Sequence, residues 1–138
     1  MSKIFINLPV TNLHKATAFY QALGFTQNMD FSDTNASSMV WDDNIYVMLL
    51  THEFCKNFLP SRKAIADSHI TCEVLNALQF DSKIAVDEFF SKAINAGAQA
   101  TIDAYDHGFM YGRDFEDLDG HIWEAFWMDM NQVPKEQF

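Results

Sequence analysis

The feature of this sequence that most constrains its fold is a pattern that occurs twice, about seventy residues apart. In the first copy, a strand-like run at residues 4–10 precedes an amphipathic helix with Tyr20 on its apolar face. In the second copy, residues 74–80 precede a similar helix, and Phe90 stands at the same offset as Tyr20. A repeat of this length is one structural unit used twice, so we expect both halves of the chain to fold on the same plan.

Three further strand-like runs follow each predicted helix. They lie at residues 26–31, 36–41 and 45–50 in the first copy and at residues 98–104, 109–115 and 121–128 in the second. Short apolar runs separated by turn residues are typical of strands. The sequence therefore predicts an α+β domain over residues 1–138, built from two tandem βαβββ modules. The first module covers about residues 1–50, a linker about residues 51–68, and the second module about residues 69–130.

The charge of the chain excludes some classes of partner. It carries 19 acidic and 9 basic residues, which gives a formal net charge of −10. Proteins that bind nucleic acid or anionic membranes need a basic patch, so neither is an expected partner. No apolar run is long enough to span a membrane, and no secretory signal is recognised. Cys55 and Cys72 have no metal-site spacing, and we expect a cytoplasmic protein with reduced thiols.

Two motifs resemble a known superfamily. Residues 7–13 (Asn-Leu-Pro-Val-Thr-Asn-Leu) lead to Phe19-Tyr20 and Gly24-Phe25, and residues 115–124 read Phe-Glu-Asp-Leu-Asp-Gly-His-Ile-Trp-Glu. These stretches resemble the vicinal oxygen chelate superfamily, which includes glyoxalase I, bleomycin-resistance proteins, fosfomycin-resistance enzymes and extradiol dioxygenases. The resemblance implies that the modules form a curved mixed sheet around a cavity, with the helices outside. It also implies a small organic ligand and a homodimer.

The resemblance further implies where a metal would be bound. Metal enzymes of the superfamily place one ligand on the first and the last strand of each module. Those positions fall on Phe5, near Leu49, on Leu75 and on Glu124. Only Glu124 offers a ligand atom, and one carboxylate supplies too few donors for a divalent ion. We therefore expect no metal site and no cofactor, and a bound divalent metal is disfavoured.

The alternation of side chains along strands predicts which residues meet the ligand. Successive side chains point to opposite faces of a sheet, so Ile122 and Phe126 are expected beside Glu124. The predicted ligand-binding residues are Phe5, Asn7, Leu49, Glu73, Leu75, Gln79, His107, Ile122 and Phe126. A structural interpretation stays open for the polar members of this set: Asn7 and Gln79 are equally suited to bond backbone groups at the rim, and His107 to be a solvated loop residue.

A predicted hairpin near the end of the chain suggests a catalytic group. If residues 117–120 form a four-residue loop, Arg113 lies opposite Glu124 and Tyr111 lies opposite Phe126. We interpret Glu124 as a candidate general acid or base, with Arg113 and Tyr111 positioning the substrate or stabilising charge. The alternative is a structural ion pair in which Arg113 only neutralises Glu124.

Three functional hypotheses follow. The first is a glyoxalase/bleomycin-resistance-like protein that acts on or binds a small organic molecule between its modules, with a degenerate metal site. If it is an enzyme, the resemblance implies a lyase or a dioxygenase-related activity. The second is a non-catalytic protein that sequesters a drug or metabolite, since an aromatic, acidic cavity suits a flat cation. The third is a structural domain whose cavity is filled by side chains such as Phe5, Leu49, Leu75 and Phe126.

Overall fold

The structure is a computed structural model that describes residues 1–132. The chain divides into two compact units, Met1–Thr71 and the part of the chain from Cys72 onward. The predicted linker at residues 51–68 lies within the first unit. None of the helices in the described part of the chain is long and apolar enough to cross a membrane.

The first unit contains a four-stranded mixed sheet, one long helix and one short helix. Its elements are β1 (Ile4–Val10), α1 (Leu13–Ala22), β2 (Thr26–Asn28), a 3-10 turn (Met29–Phe31), β3 (Ala36–Val40), β4 (Ile45–Thr51) and the short helix α2 (His52–Lys56). The strand order is β1-β4-β3-β2. Strand β1 runs parallel to β4, and the other pairs are antiparallel.

The sequence around α1 explains both where the helix begins and how it packs. Asn12 caps the helix, because its side-chain oxygen accepts a hydrogen bond from the backbone N–H of Lys15 at 3.0 Å. Gly24 follows the helix with φ +108°, a backbone conformation that other residues rarely adopt. Thr17 joins the helix to β3 through a 2.7 Å hydrogen bond between its hydroxyl and that of Ser37.

The second unit repeats this plan with a longer helix. Its elements are β5 (Leu75–Phe80), α3 (Lys83–Asn95), β6 (Gln99–Ala100), β7 (Tyr105–Asp106), β8 (Met110–Glu116) and β9 (Ile122–Met128). The strand order is β5-β9-β8-β6, and β7 also pairs with β8. Strand β5 runs parallel to β9. Both units follow the βαβββ plan, so the predicted α+β class with two such modules is confirmed.

Two predicted strands are shorter than expected. The run at residues 26–31 leaves the sheet after Asn28, whose side chain accepts a hydrogen bond from the backbone N–H of Asp30 and so begins the 3-10 turn. The run at residues 98–104 is replaced by β6 and β7, which pair separately with β8. The consequence is that Tyr105, which lies beyond the predicted strand, is part of the sheet.

The register of the β8–β9 hairpin differs from the predicted one by one residue. The loop has five residues, since Glu116 pairs with Ile122 and the N–H of Asp117 donates to the carbonyl of His121 at 2.9 Å. Gly120 supplies the positive φ, +88°, that this turn needs. The predicted pairing of Arg113 with Glu124 is therefore wrong.

Candidate functional site

The candidate site lies on the face of the second sheet that points away from α3, which we call the distal face. Its members in the three long strands are Leu75, Ala77, Gln79, Met110, Gly112, Asp114, Glu116, Ile122, Glu124, Phe126 and Met128. The opposite face packs on α3, as the ring contacts of Phe115 with Phe89 and Phe90 show. Because successive side chains of a strand point to opposite faces, the residues of the distal face do not contact α3.

Two carboxyl groups are neighbours at the centre of the distal face. Asp114 of β8 is the direct cross-strand partner of Glu124 of β9. Asp114 is only 5% exposed, and Glu124 is half-buried. Burial raises the pKa of Asp114 above its ordinary value. Burial also raises the pKa of Glu124, and the negative charge of Asp114 raises it further.

Tyr105 of β7 lies against this carboxyl pair. Its hydroxyl donates a hydrogen bond to Oδ1 of Asp114 at 3.2 Å. Its ring covers Gly112, its partner in the β7–β8 ladder, so closely that a Cβ at Gly112 would overlap the ring. Burial, followed by the charge of Asp114, raises the pKa of Tyr105 well above its usual range. The hydroxyl therefore remains a hydrogen-bond donor at neutral pH.

No basic side chain of the three long strands faces the carboxyl pair. Arg113 is the only basic residue in β5, β8 and β9, and it points to the other face. A partly buried pair of carboxyls to which these strands supply no cation is unfavourable when both are ionised, and this raises the pKa of the pair. Such a pair is suited to exchange a proton with a ligand or to bind a positively charged group.

Arg113 and Tyr111, predicted as catalytic partners of Glu124, lie on the α3 side of the sheet. The guanidinium of Arg113 stacks on the ring of Phe90, with Cζ at 3.9 Å from the ring centre, and its Nη1 lies 3.5 Å from Oδ1 of Asp87. The hydroxyl of Tyr111 donates to the same Asp87 oxygen at 2.6 Å. The structure therefore does not bring these two residues together with Glu124, because the one-residue change of register reverses their faces.

The other predicted residues of the second unit divide into two groups. Leu75, Gln79, Ile122 and Phe126 share the distal face with Glu124, as the alternation predicts. Glu73 is exposed and precedes β5. His107 is exposed in the turn between β7 and β8, where its backbone N–H donates to the carbonyl of Met110 at 2.8 Å.

In the first unit, the predicted residues fall on both faces of the sheet. Phe5 and Asn7 share one face of β1, and the ring of Phe5 stacks on Tyr46 with 4.5 Å between ring centres. Leu49 is completely buried on the opposite face of the sheet, which packs on α1. Its cross-strand partner Ser37 forms a hydrogen bond with Thr17 of that helix. Leu49 therefore cannot share a ligand surface with Phe5, and this part of the prediction is wrong. Met48 holds the corresponding place on the face of Phe5.

The donor atoms present do not fit the metal that the resemblance implies. Phe5 and Leu75 offer only hydrocarbon at their positions, and the remaining position in the first unit belongs to Met48, because Leu49 is buried against α1. Among residues 1–132, no group of three or more His, Cys, Asp or Glu side chains is arranged to hold a metal ion. A divalent ion needs several such ligands. The chemistry of this face is therefore best derived from its own carboxyl and hydroxyl groups.

Asp114 and Tyr105 are the site residues that the sequence reasoning missed. Asp114 was missed because the assumed loop was one residue too short, which placed Arg113 at its position opposite Glu124. The signal that could have found it is Asp117, since an aspartate at the start of a loop can accept hydrogen bonds from backbone N–H groups further along, here those of Asp119 and His121. Tyr105 was missed because nothing in the local pattern predicts a two-residue strand there.

Comparisons with known proteins identify the fold. Neither a protein-family model nor a curated protein matches this chain. Among solved structures, the hypothetical protein SA1046 from S. aureus is 25% identical, with a TM-score of 0.76 over 92% of this chain and 94% of that chain. A glyoxalase/bleomycin resistance protein/dioxygenase family enzyme from Burkholderia phytofirmans PsJN is 18% identical, with a TM-score of 0.73 over 93% and 99%. The fosfomycin resistance protein FosX from Listeria monocytogenes is 18% identical, with a TM-score of 0.67 over 100% and 98%.

These structural matches extend over nearly the full length of both chains compared. At such low sequence identity they show a shared fold but do not indicate a shared reaction. The order of elements in each unit and the two mixed sheets agree with them. The chain therefore has the fold of the vicinal oxygen chelate superfamily, as its opening and closing motifs predict.

Proposed function

We propose that this chain binds a small organic molecule against the distal face of its second sheet, where Glu124 exchanges a proton with the bound molecule. The observation that carries the proposal is the pairing of Glu124 with the buried Asp114 on a face whose strands supply no cation. Titratable groups whose pKa is shifted by burial and by a neighbouring charge are concentrated at functional sites, because acid–base chemistry needs pKa values matched to its task.

The surroundings of the pair suit an organic ligand. Phe126 and Ile122 flank Glu124 on β9, and Leu75 lies nearby on β5 and is 54% exposed. Apolar side chains with a few convergent polar groups are typical of small-molecule sites. The exposure of Leu75, and of Phe5 at 53%, also argues against the hypothesis that these side chains fill the interior of a purely structural domain.

If the chain is an enzyme, the residues present favour acid–base chemistry of the lyase type. A carboxyl group whose pKa is raised by burial and by a neighbouring acid holds its proton to higher pH than an exposed one, which suits it to donate a proton to a substrate oxygen and take one back later. A dioxygenase-related activity is less well supported, because the donor atoms do not fit a metal. In this proposal Glu124 is the group that touches the ligand, and Asp114, held by the hydrogen bond from Tyr105, raises its pKa.

A second candidate function is sequestration of an organic cation without turnover. The aromatic rings of Tyr105 and Phe126 adjoin the two carboxyl groups, and such a combination favours positively charged aromatic compounds. Neighbours in the structural comparison bear names that refer to bleomycin and fosfomycin resistance. Binding of a drug is therefore a reasonable alternative for this chain.

Two fragments of similar size test the proposal. Acetophenone supplies a neutral carbonyl and benzylamine an aromatic cation, and each is titrated into 15N-labelled protein while amide shifts are followed by NMR. We expect at least one to shift amides of β8 and β9, with affinity reduced about tenfold by Glu124→Gln. Acetophenone binding favours the acid–base function, and benzylamine binding favours sequestration.

The matched control is Glu88→Gln on the exposed side of α3, which should leave both titrations unchanged. Native mass spectrometry of the freshly purified protein provides a second readout, because a co-purified organic molecule would be detected directly. The proposal is wrong if neither fragment perturbs the distal face at millimolar concentration and the purified protein carries no organic molecule.

A further inference from the structure

The distal face of the second sheet is unevenly covered, and the exposure of its side chains falls from one strand to the next. On β5, the outermost strand on one side of the sheet, Leu75, Ala77 and Gln79 are exposed. On β9, the members of this face are half-buried. On β8, Gly112 and Asp114 are buried. A molecule that approaches this face therefore meets open surface at β5 and covered backbone at β8.

Tyr105 is a side chain that covers β8. It stands opposite Gly112 in the β7–β8 ladder, and its ring occupies the space that any larger side chain at position 112 would need. Its hydroxyl reaches two residues further along the strand and donates the 3.2 Å hydrogen bond to Asp114. The ring therefore lies along the middle of β8 and adjoins both residues of the distal face that are buried there.

The backbone around Tyr105 holds the ring in this place. The N–H of His107 donates to the carbonyl of Met110 at 2.8 Å and closes the turn that follows β7. Asp106, the residue after Tyr105, forms a 3.2 Å ion pair with Lys83 of α3. Because both neighbours along the chain are tied to other elements, the ring is a fixed part of the sheet surface.

On the other side of Glu124, the small side chain of Ala77 leaves a low place in the surface. Ala77 is the register partner of Glu124 in the β5–β9 ladder. Leu75 and Gln79 stand two residues before and after Ala77 on the same face, and both have longer side chains. A group that lies over Ala77 therefore contacts Glu124 from the β5 side and has a longer side chain at each end.

We propose that Tyr105 is a specificity-determining residue, which closes the β8 side of the distal face and confines the ligand to the surface over Ala77, beside Glu124. The inference rests on the proposed function, because it states which part of the face binds the ligand and how large a group fits. From the Tyr105 ring to the β5 edge, the described sheet has only the strands β9 and β5, whose axes are about 4.8 Å apart. That width suits a single six-membered ring, so the site favours a one-ring group over a fused two-ring group.

Pairs of fragments that differ by one ring test the inference. Acetophenone is compared with methyl naphthyl ketone, and benzylamine with naphthylmethylamine, each by NMR titration of the full chain. In the unaltered protein we expect the one-ring member to bind more tightly and to shift the amide of Ala77. Tyr105→Ala frees the space over Gly112, so it should raise the affinity for the two-ring member, relative to its one-ring counterpart, by about tenfold.

Three further variants separate the effect of the ring from other effects. Tyr105→Phe keeps the ring and removes only the hydroxyl, so the preference for the one-ring member should persist. The matched control is Tyr111→Ala, which removes a ring from the α3 side of β8 and should leave that preference unchanged. Ala77→Val adds two methyl groups at an exposed strand position that suits a β-branched residue, and it should weaken binding of the one-ring members by about tenfold.

The inference is overturned if Tyr105→Ala binds both members of a pair in the same ratio as the unaltered protein, or if Ala77→Val binds the one-ring members as tightly as before. Either result, with binding to the distal face intact, leaves the proposed function standing. If none of the four fragments binds, the proposed function is rejected and this inference with it. The dispersion of amide signals shows whether each variant is folded, and Ala77→Val decides the matter if Tyr105→Ala is not.

Discussion

At the scale of single residues, Glu124 shows how a carboxyl group can reduce the stability of the fold that carries it. Its cross-strand partner is another acid, Asp114, which is almost completely buried, while Glu124 itself is half-buried. Like charges in cross-strand positions destabilise a sheet, and burial adds the cost of losing water from each ion. A residue that costs stability in this way is more readily explained by binding or catalysis than by packing.

This cost predicts how stability depends on pH. Because burial raises the pKa of Asp114 and Glu124 in the folded state, the folded chain holds more protons than the unfolded chain above the ordinary values of 3.8 and 4.5. Their contribution to stability is complete below those values and is lost as pH rises through the raised ones. Glu124→Gln should therefore flatten the decline of unfolding free energy with pH, measured by urea denaturation between pH 4 and 8.

At pH 7 the Glu124→Gln variant should be at least as stable as the unaltered protein. The exposed Glu88→Gln serves as the control for the change in net charge. If Glu124 had instead been the buried partner of Arg113, its removal would leave an unpaired cation and cost about 3–5 kcal/mol. A loss of that size would contradict the pairing of Glu124 with Asp114.

At the scale of elements, the hairpin loop between β8 and β9 determines which residues face the site. The side chain of Asp117 is 6% exposed, and its Oδ1 accepts hydrogen bonds from the N–H groups of Asp119 and His121, both at 2.9 Å. These bonds close a loop of five residues and so place Asp114, not Arg113, beside Glu124. A loop one residue shorter would turn every side chain of β8 to the other face.

Asp117→Ala should therefore destabilise the second unit by about 2–3 kcal/mol, because it leaves two shielded N–H groups without their acceptor. Asp42 in the β3–β4 loop provides the comparison, since its Oδ1 accepts from Asn44 and Ile45 at 2.8 and 2.9 Å but the residue is exposed. Asp42→Ala should cost about 1 kcal/mol or less, because water replaces the lost acceptor. Equal losses in urea denaturation would show that burial of the loop does not matter.

The helices and strands are the parts of the fold that are predictable from the sequence. Helices α1 and α3 and strand β1 are predictable because burial of one face imposes a period on the apolar residues. The distal positions of Leu75, Gln79, Ile122 and Phe126 follow from the same alternation within a strand.

Contacts between strands are less predictable, because they depend on loop length to a single residue. The β8–β9 partners were assigned from a four-residue loop, whereas side-chain hydrogen bonds from Asp117 stabilise five residues. Tyr105 depends on a contact with Gly112 that has no local signal, since the fit of a ring on a glycine belongs to the folded sheet. Glu124 was therefore identified as a candidate from the sequence, whereas its neighbours Asp114 and Tyr105 were identified only from the structure.

At the scale of the whole molecule, the two units use one topology for different surfaces. In the first unit, the face of Phe5 carries an aromatic stack with Tyr46, whereas the second unit carries the carboxyl pair. The formal net charge of −10 disfavours nucleic acid and anionic membranes as partners, and this stays a prediction. The homodimer implied by the resemblance stays a prediction, which light scattering would test against the 15.8 kDa of one chain.

The last prediction concerns metal content. The four strand positions at which the resemblance implies metal ligands correspond here to Phe5, Leu75 and Glu124, and to Met48, which takes the place predicted for Leu49. Elemental analysis after desalting should therefore find well below one zinc, nickel, iron or manganese per chain, since the two carboxyl groups Asp114 and Glu124 are fewer ligands than such an ion needs, and residues 1–132 contain no group of three or more suitable side chains. A metal bound only by the folded state would stabilise it, and its removal would lower the melting temperature. Treatment with a chelator should therefore leave the melting temperature of this protein unchanged. A near-stoichiometric metal that is absent from Glu124→Gln would contradict this prediction and would assign Glu124 to a metal instead of a proton.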